Sequence, residues 1–291
     1  MAPRLRIAIA TCAEYADLCE DDRPIVAALA AAGVDARPVP WRADVAWGDF
    51  AAVLLRSAWD YHLHAAEFSA WLDRLDRERV PCWNPTSLVR WNMDKRYLRD
   101  LAAKGVATVP TIWIDGSRGL SAEAAAAEIA RANWPEVILK PTVSAGAWRT
   151  LRLRRDEVAG ATAYLREALA AGGLMAQPFL PEILGAGELS MLFFDGAFSH
   201  AVVKRPKAGD FRVQWTHGGT EVATTPTASI LDQARAALAA APSPALYARV
   251  DGVVRDGRLI LMELEQIEPY LYLAESDGGT DRFVRALRAR L

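Results

Sequence analysis

RVDGVVRDGRLILMELE, residues 249–265, reads as two strands joined by a tight turn at Asp256-Gly257. Alternate residues of a strand share a face, so Arg249 goes with Asp251 and Glu263 with Glu265. The neighbours of the two glutamates, Leu259–Met262 and Leu264, are apolar, so these carboxylates emerge from a buried strand. If the hairpin closes at Asp256-Gly257, Asp251 faces the glutamates across the ladder. Three carboxylates gathered in this way repel one another unless cations sit among them. With no His or Cys in the set, oxygen ligands favour Mg²⁺, which commonly shares carboxylates with substrate phosphates. The competing reading is a charged strand face covered by arginine salt bridges.

Cations for such a site are found upstream. Of the 34 basic residues only five are lysines: Lys95, Lys104, Lys140, Lys204 and Lys207. In a chain this rich in Arg and Ala, a retained lysine points to a need for a compact ammonium on a flexible stem. Lys140 ends an apolar strand, Val137–Lys140. It is followed by the small-residue loop Thr142–Ala147 and a second strand, Arg149–Arg154. That is a hairpin flap and not a phosphate loop of the GxxxxGK[ST] type. Lys95 lies early in a helix spanning Ser87–Ala103, and Lys204 ends the strand Ala197–Lys204. Val109–Ile112, Ser121–Ala132 (helix, Ser121 as N-cap), Met175–Leu180 and Glu188–Phe194 complete a mixed α+β second half. Lysines converging on a mobile flap and a carboxylate hairpin describe a nucleotide–Mg²⁺ site.

The first 88 residues alternate strand and helix. Leu5–Thr11, Val34–Pro38 and Ala51–Arg56 read as strands, Arg23–Ala32 and Glu67–Arg79 as helices. This order predicts a parallel α/β sheet, with ligands at the carboxyl ends of its strands. Arg56-Ser57-Ala58-Trp59-Asp60-Tyr61 follows the third strand and carries ligand-binding side chains. A formal charge of −2 gives no basic surplus for nucleic acid. Cys12, Cys19 and Cys82 fit no zinc or CxxC spacing and read as thiols of a reducing compartment. The N-terminal apolar stretch is too short for a signal peptide and no run is long enough to span a membrane, so a cytoplasmic protein is expected. The four histidines, His62, His64, His200 and His217, show no metal spacing and read as core or surface residues.

These motifs, in this order, resemble the ATP-grasp superfamily of carboxylate–amine ligases, which includes D-alanine–D-alanine ligase and glutathione synthetase. Arg-Ser-Ala-Trp-Asp-Tyr together with Glu-Leu-Glu-Gln-Ile-Glu-Pro-Tyr-Leu is most similar to the cyclo-ligases of D-cycloserine biosynthesis. The resemblance implies a parallel α/β domain over 1–88, a central subdomain with the flap over 89–176, and a C-terminal subdomain with the metal site over 177–291. It makes Lys95, Lys140, Ser144, Gly146 and Lys204 phosphate-binding. Gln177, Phe179 and Leu180 would grip adenine and Glu188 the ribose. Arg249 would clamp phosphate, with Asp251, Glu263 and Glu265 as metal ligands; the family usually keeps asparagine at the last of these. The catalytic set is thus Arg249, Lys140 and Lys204, and the cofactors are ATP and two Mg²⁺ ions. The chemistry implied is an acyl phosphate attacked by an amine-type nucleophile, within one molecule or between two. Arg56, Ser57, Trp59, Asp60 and Tyr61 would meet the substrate from one side, and Arg205, Gly218, Gly219 and Glu268 from the other. Small-molecule carboxylate and amine substrates and a homodimer are expected, with no nucleic acid and no membrane. A ligase acting on a peptide or protein tail and a phosphotransferase of the same fold are the alternatives.

Overall fold

The computed structural model describes residues 5–291. Its first sheet is parallel and is built by β1 (Arg6–Thr11), β2 (Asp35–Pro40), β3 (Ala52–Leu55) and β4 (Cys82–Trp83) in the order β2-β1-β3-β4. The near-continuous apolar run of β1 follows from burial on both faces. Ile7 and Ile9 face one core with α1 (Arg23–Ala31), while Ala8 and Ala10 face another with α2 (Ala65–Glu78). The order reverses between β1 and its neighbours, which opens a crevice at their carboxyl ends.

The helix predicted over Ser87–Ala103 is two helices, α3 (Thr86–Met93) and α4 (Tyr97–Ala103), separated at Asp94–Arg96. Lys95 therefore sits in a break and not within a helix. The break is held by its surroundings: the Lys95 N–H donates to the Thr142 carbonyl (2.8 Å), and Asp94 accepts from the Arg96 backbone N–H (2.9 Å). Beyond it the second sheet contains β5 (Ile112–Asp115), β6 (Glu136–Pro141), β7 (Leu151–Arg154) and β8 (Gly173–Pro178), in the order β5-β8-β6-β7 and antiparallel. The strand expected at Val109–Ile112 thus begins only at Ile112; Thr108 makes a lone bridge to Leu261. α5 (Ala122–Ala130) and α6 (Thr162–Ala170) cover one face, and the Ser121 side chain caps α5 by accepting from the Ala124 N–H.

The third sheet carries the opening motif. β9 (Glu188–Phe194), β10 (Ala197–Arg205), β11 (Thr220–Thr224), β12 (Tyr247–Arg255) and β13 (Arg258–Glu265) are antiparallel in the order β11-β10-β9-β12-β13. Leu189, Met191, Phe193, Val250 and Leu264 turn to the face covered by α7 (Ala228–Ala239) and α4. The alternate residues Glu188, Ser190, Arg249, Asp251, Glu263 and Glu265 occupy the opposite face. Further along that face Leu192, Phe194 and Val202 join the α1 side of the first sheet and α8 (Gly279–Arg288) in one continuous core.

Candidate active site

β12 and β13 pair with Arg249 opposite Glu265 and Asp251 opposite Glu263, and a bulge follows Asp251. The bulge re-aims the hairpin next to these charges. Arg249 Nε donates to both Asp251 oxygens at 3.0 Å, its Nη2 pairs with Glu265, and its Nη1 donates to the Tyr270 carbonyl at 2.9 Å. Ser190 Oγ donates to Asp251 Oδ1 at 2.5 Å. Lys204 Nζ lies 2.5 Å from Glu188 Oε1 and 3.8 Å from Asp251 Oδ1. Lys95 pairs with Glu263. It reaches that glutamate because Asn92 satisfies both the Leu264 carbonyl and the Gln266 N–H (2.8 Å each), docking the end of α3 on the edge of β13.

These groups line a cavity of about 680 Å³ whose walls come from the second and third sheets and from loops that follow strands of the first. Lys140, at the end of β6, enters it half-buried and has no carboxylate partner among the described residues. Burial lowers its pKa and Lys95 adds to the effect, against the pull of Glu263. Ser144 to Arg149 of the flap lie over the opening. Gly146, Ala147 and Arg149 adopt left-handed backbone, a conformation that is costly for the last two. Ala145 packs on the core of the first sheet, so the flap bridges two parts of the molecule. Gln177 donates to Thr111 Oγ1 (3.0 Å), and Phe179 and Leu180 form an apolar patch with Val109, Ile183 and Val213.

The donor chemistry of the hairpin suits a hard divalent cation. The donors are oxygens only, and Asp251, Glu263 and Glu265 share one face of the hairpin. Burial pushes Glu265 up to about 7; Asp251 and Glu263 push in the same direction and Arg249 opposes them. Carboxylates so crowded are relieved by positive charge, which here comes from Lys95, Lys204 and Arg249. As the side chains stand, no three His, Cys, Asp or Glu residues among those described close around a common point.

The predicted substrate wall is only partly assembled. Trp59, Asp60, Tyr61 and Glu268 line the cavity. Trp59 Nε1 donates to the Glu268 carbonyl (2.9 Å), and Asp60 accepts from Trp41 Nε1 (2.6 Å). Arg56 and Ser57 lie outside the wall and are fully buried. Arg56 Nε donates to Asp22 (2.9 Å) and its Nη2 to the Pro269 carbonyl (2.5 Å), while Ser57 Oγ donates to the other Asp22 oxygen (2.8 Å). Arg205 is exposed and off the wall. Gly218 and Gly219 are off it too, and the loop geometry explains their type: Gly218 has φ +81°, and a Cβ on Gly219 would fall 2.0 Å from the Val213 carbonyl oxygen. The preceding Trp215–His217 line the cavity instead, as do Cys12, Tyr15, His62, Trp148, Arg212, Tyr270 and Tyr272. From sequence alone, His62 and His217 read as core or surface residues and the others have no place in the site, although Tyr270 stands in the Glu-Pro-Tyr-Leu stretch. Tyr15, Trp148, Trp215 and Tyr272 are visible only as composition, whereas Trp59 stands in the expected substrate set.

Comparison with known proteins shows what the chain is similar to. Residues 7–84 match the family model of the D-cycloserine synthetase DcsG N-terminal domain, and residues 119–249 that of the prokaryotic glutathione synthetase ATP-grasp domain. The chain is 33% identical to the cycloserine biosynthesis protein DcsG of Streptomyces lavendulae over 98% of each chain. The crystal structure of D-cycloserine synthetase DcsG superposes with a TM-score of 0.89 at 32% identity, covering 98% of this chain and 99% of the other. D-alanine–D-alanine ligase from Bacillus anthracis shares the fold, with a TM-score of 0.69 at 16% identity and 98% of both chains covered. ATP and Mg²⁺ are the cofactors of ligases of this fold, and the lysines, Arg249 and the carboxylate hairpin are side chains able to hold them. The chain belongs to the ATP-grasp family of ligases, alongside D-cycloserine synthetase, and is an ATP-dependent carbon–nitrogen ligase.

Proposed function

We propose that this ligase activates the carboxylate of a small, amino-acid-like molecule as an acyl phosphate and closes it with a nitrogen nucleophile of the same molecule. The observation that carries the reading is the meeting, in one cavity, of the unpaired Lys140 with Lys95, Lys204, Arg249 and three carboxylates. Similarity to a D-cycloserine synthetase along the whole chain supports ring closure over joining two molecules. The cavity size supports a small substrate, since about 680 Å³ has to hold a nucleotide as well.

In this reading Lys140, Lys95 and Lys204 act as point charges on the polyphosphate, and Gln177, Phe179, Leu180 and Glu188 receive the nucleoside. Two Mg²⁺ ions held by Asp251, Glu263 and Glu265 would neutralise charge on the transferring phosphoryl group. Arg249, already fixed by Asp251 and the Tyr270 carbonyl, is positioned to stabilise the acyl phosphate. The flap's Ser144 and Gly146 shield that intermediate from water. Trp59, Asp60, Tyr61 and Glu268 form the substrate end.

The test is a panel of D- and L-amino acids and their side-chain derivatives, with ADP and phosphate release followed for each. Substrate-dependent release of both, with hydroxamate on adding hydroxylamine, is the expected result. Release of AMP and pyrophosphate would overturn the reading.

A further inference from the structure

Forming a C–N bond from an acyl phosphate requires the nitrogen to give up a proton, and the groups assigned so far do not suit that task. The lysines and Arg249 are positive, and the hairpin carboxylates are engaged by them; Glu268, the carboxylate at the substrate end that is unpaired among the described residues, is the rival that the experiment separates. We propose that His62 is the general base for this second step, an assignment that rests on the acyl-phosphate reading above.

His62 lies on the short 3₁₀ turn Tyr61–Leu63 that follows the carboxyl end of β3, and it lines the cavity. Its ring meets Trp148 of the flap edge-on, with centroids 5.4 Å apart and planes at 63°. The flap thus covers the imidazole as it covers the site. Nδ1 is shielded from solvent, so Nε2 is the ring nitrogen left to meet a substrate N–H in the cavity. The charged groups around the ring are Lys95, Asp60 and His64. Burial lowers the pKa of the imidazole and Lys95 adds to this, which favours the neutral ring that can accept a proton, while the Trp59 backbone and Asp60 oppose it. Asp60 is itself committed to Trp41 Nε1.

In the step, the nitrogen forms a bond to the acyl carbon and the bond from that carbon to the phosphoryl oxygen breaks. Inorganic phosphate leaves with the electron pair. The proton passes from nitrogen to His62, which becomes imidazolium and loses it to solvent when the flap opens.

The experiment compares the wild-type enzyme with His62→Gln, His62→Asn and Glu268→Gln. Each is given ATP and the donor amino acid of highest ADP release in the panel, with or without hydroxylamine. Hydroxylamine is already neutral and strongly nucleophilic near pH 7, so its attack needs little help from a base. Both His62 variants are expected to lose about 100-fold or more in amide product while hydroxamate formation stays within about three-fold of wild type. Amide product near the wild-type rate overturns the proposal. So does a parallel fall in hydroxamate, which marks a structural role, or the same split in Glu268→Gln and not in His62→Gln. A wild-type enzyme that yields no hydroxamate would instead remove the acyl-phosphate reading itself.

Discussion

Lys140 differs from the other two cavity lysines in having no carboxylate at hand, while Lys95 is held by Glu263 and Lys204 by Glu188. Its ammonium is therefore the one poised for a ligand's negative charge without first breaking a pair. Lys140→Ala should lower ADP release by at least about 100-fold, as loss of a preorganised charge at a transferring group does, with an unchanged circular dichroism spectrum. A rate close to wild type would remove Lys140 from the site. The sequence made this residue legible because a lysine closing an apolar strand before a small-residue loop is a local pattern. Arg56 has an equally suggestive local pattern and the opposite fate. What decides it is Asp22, 34 residues away, whose carboxylate draws the guanidinium into the core. No spacing rule shows such a partner, so chemistry readable from type alone was assigned there to the wrong surroundings.

At the scale of elements, one side chain fastens the first sheet to the third. Asn84, directly after β4, is fully buried and donates to the Tyr247 and Gln266 carbonyls (2.9 and 2.7 Å). It accepts from the N–H groups of Leu246 and Tyr247 (2.6 and 3.4 Å). Its amide thus satisfies backbone at the start of β12 and just beyond β13. Asn84→Ala leaves those groups dry and unpaired and should cost about 3 kcal/mol or more, read as a lower urea midpoint. A loss within about 0.5 kcal/mol would show that water replaces the amide. The strands of the hairpin were easier to place from sequence than the helix pair α3 and α4. The alternation in β9, β12 and β13 is set by two faces, one apolar and one polar, whereas the break between α3 and α4 contains neither Pro nor Gly. It exists because Lys95 and Asn92 are held from outside, by Thr142 and by the edge of β13.

For the whole molecule, the site is a seam between three sheets, so ligands that fill it tie the sheets together. Saturating ATP with Mg²⁺ at about 100 times the dissociation constant should add about 2.7 kcal/mol of stability, measurable as a rise in melting temperature. Glu263→Gln should reduce the part of that rise that depends on Mg²⁺, and an equal shift with and without metal would contradict the role of the hairpin. The fold class was readable because strand–helix alternation in the first part and strand pairing in the last are both local signals. The way the parts share a core was not. Residues 267–273 lie across the first sheet: Ile267 joins the α2 core, Arg56 grips the Pro269 carbonyl, and Asp21 accepts from the N–H groups of Leu271 (2.9 Å) and Leu273 (2.6 Å). Residues 267–273 are thus part of the first sheet's surroundings. A chimera that exchanged residues 1–88 for the matching piece of another ligase, to graft on a new specificity, would inherit a mismatched floor unless residues 266–273 travelled with the insert.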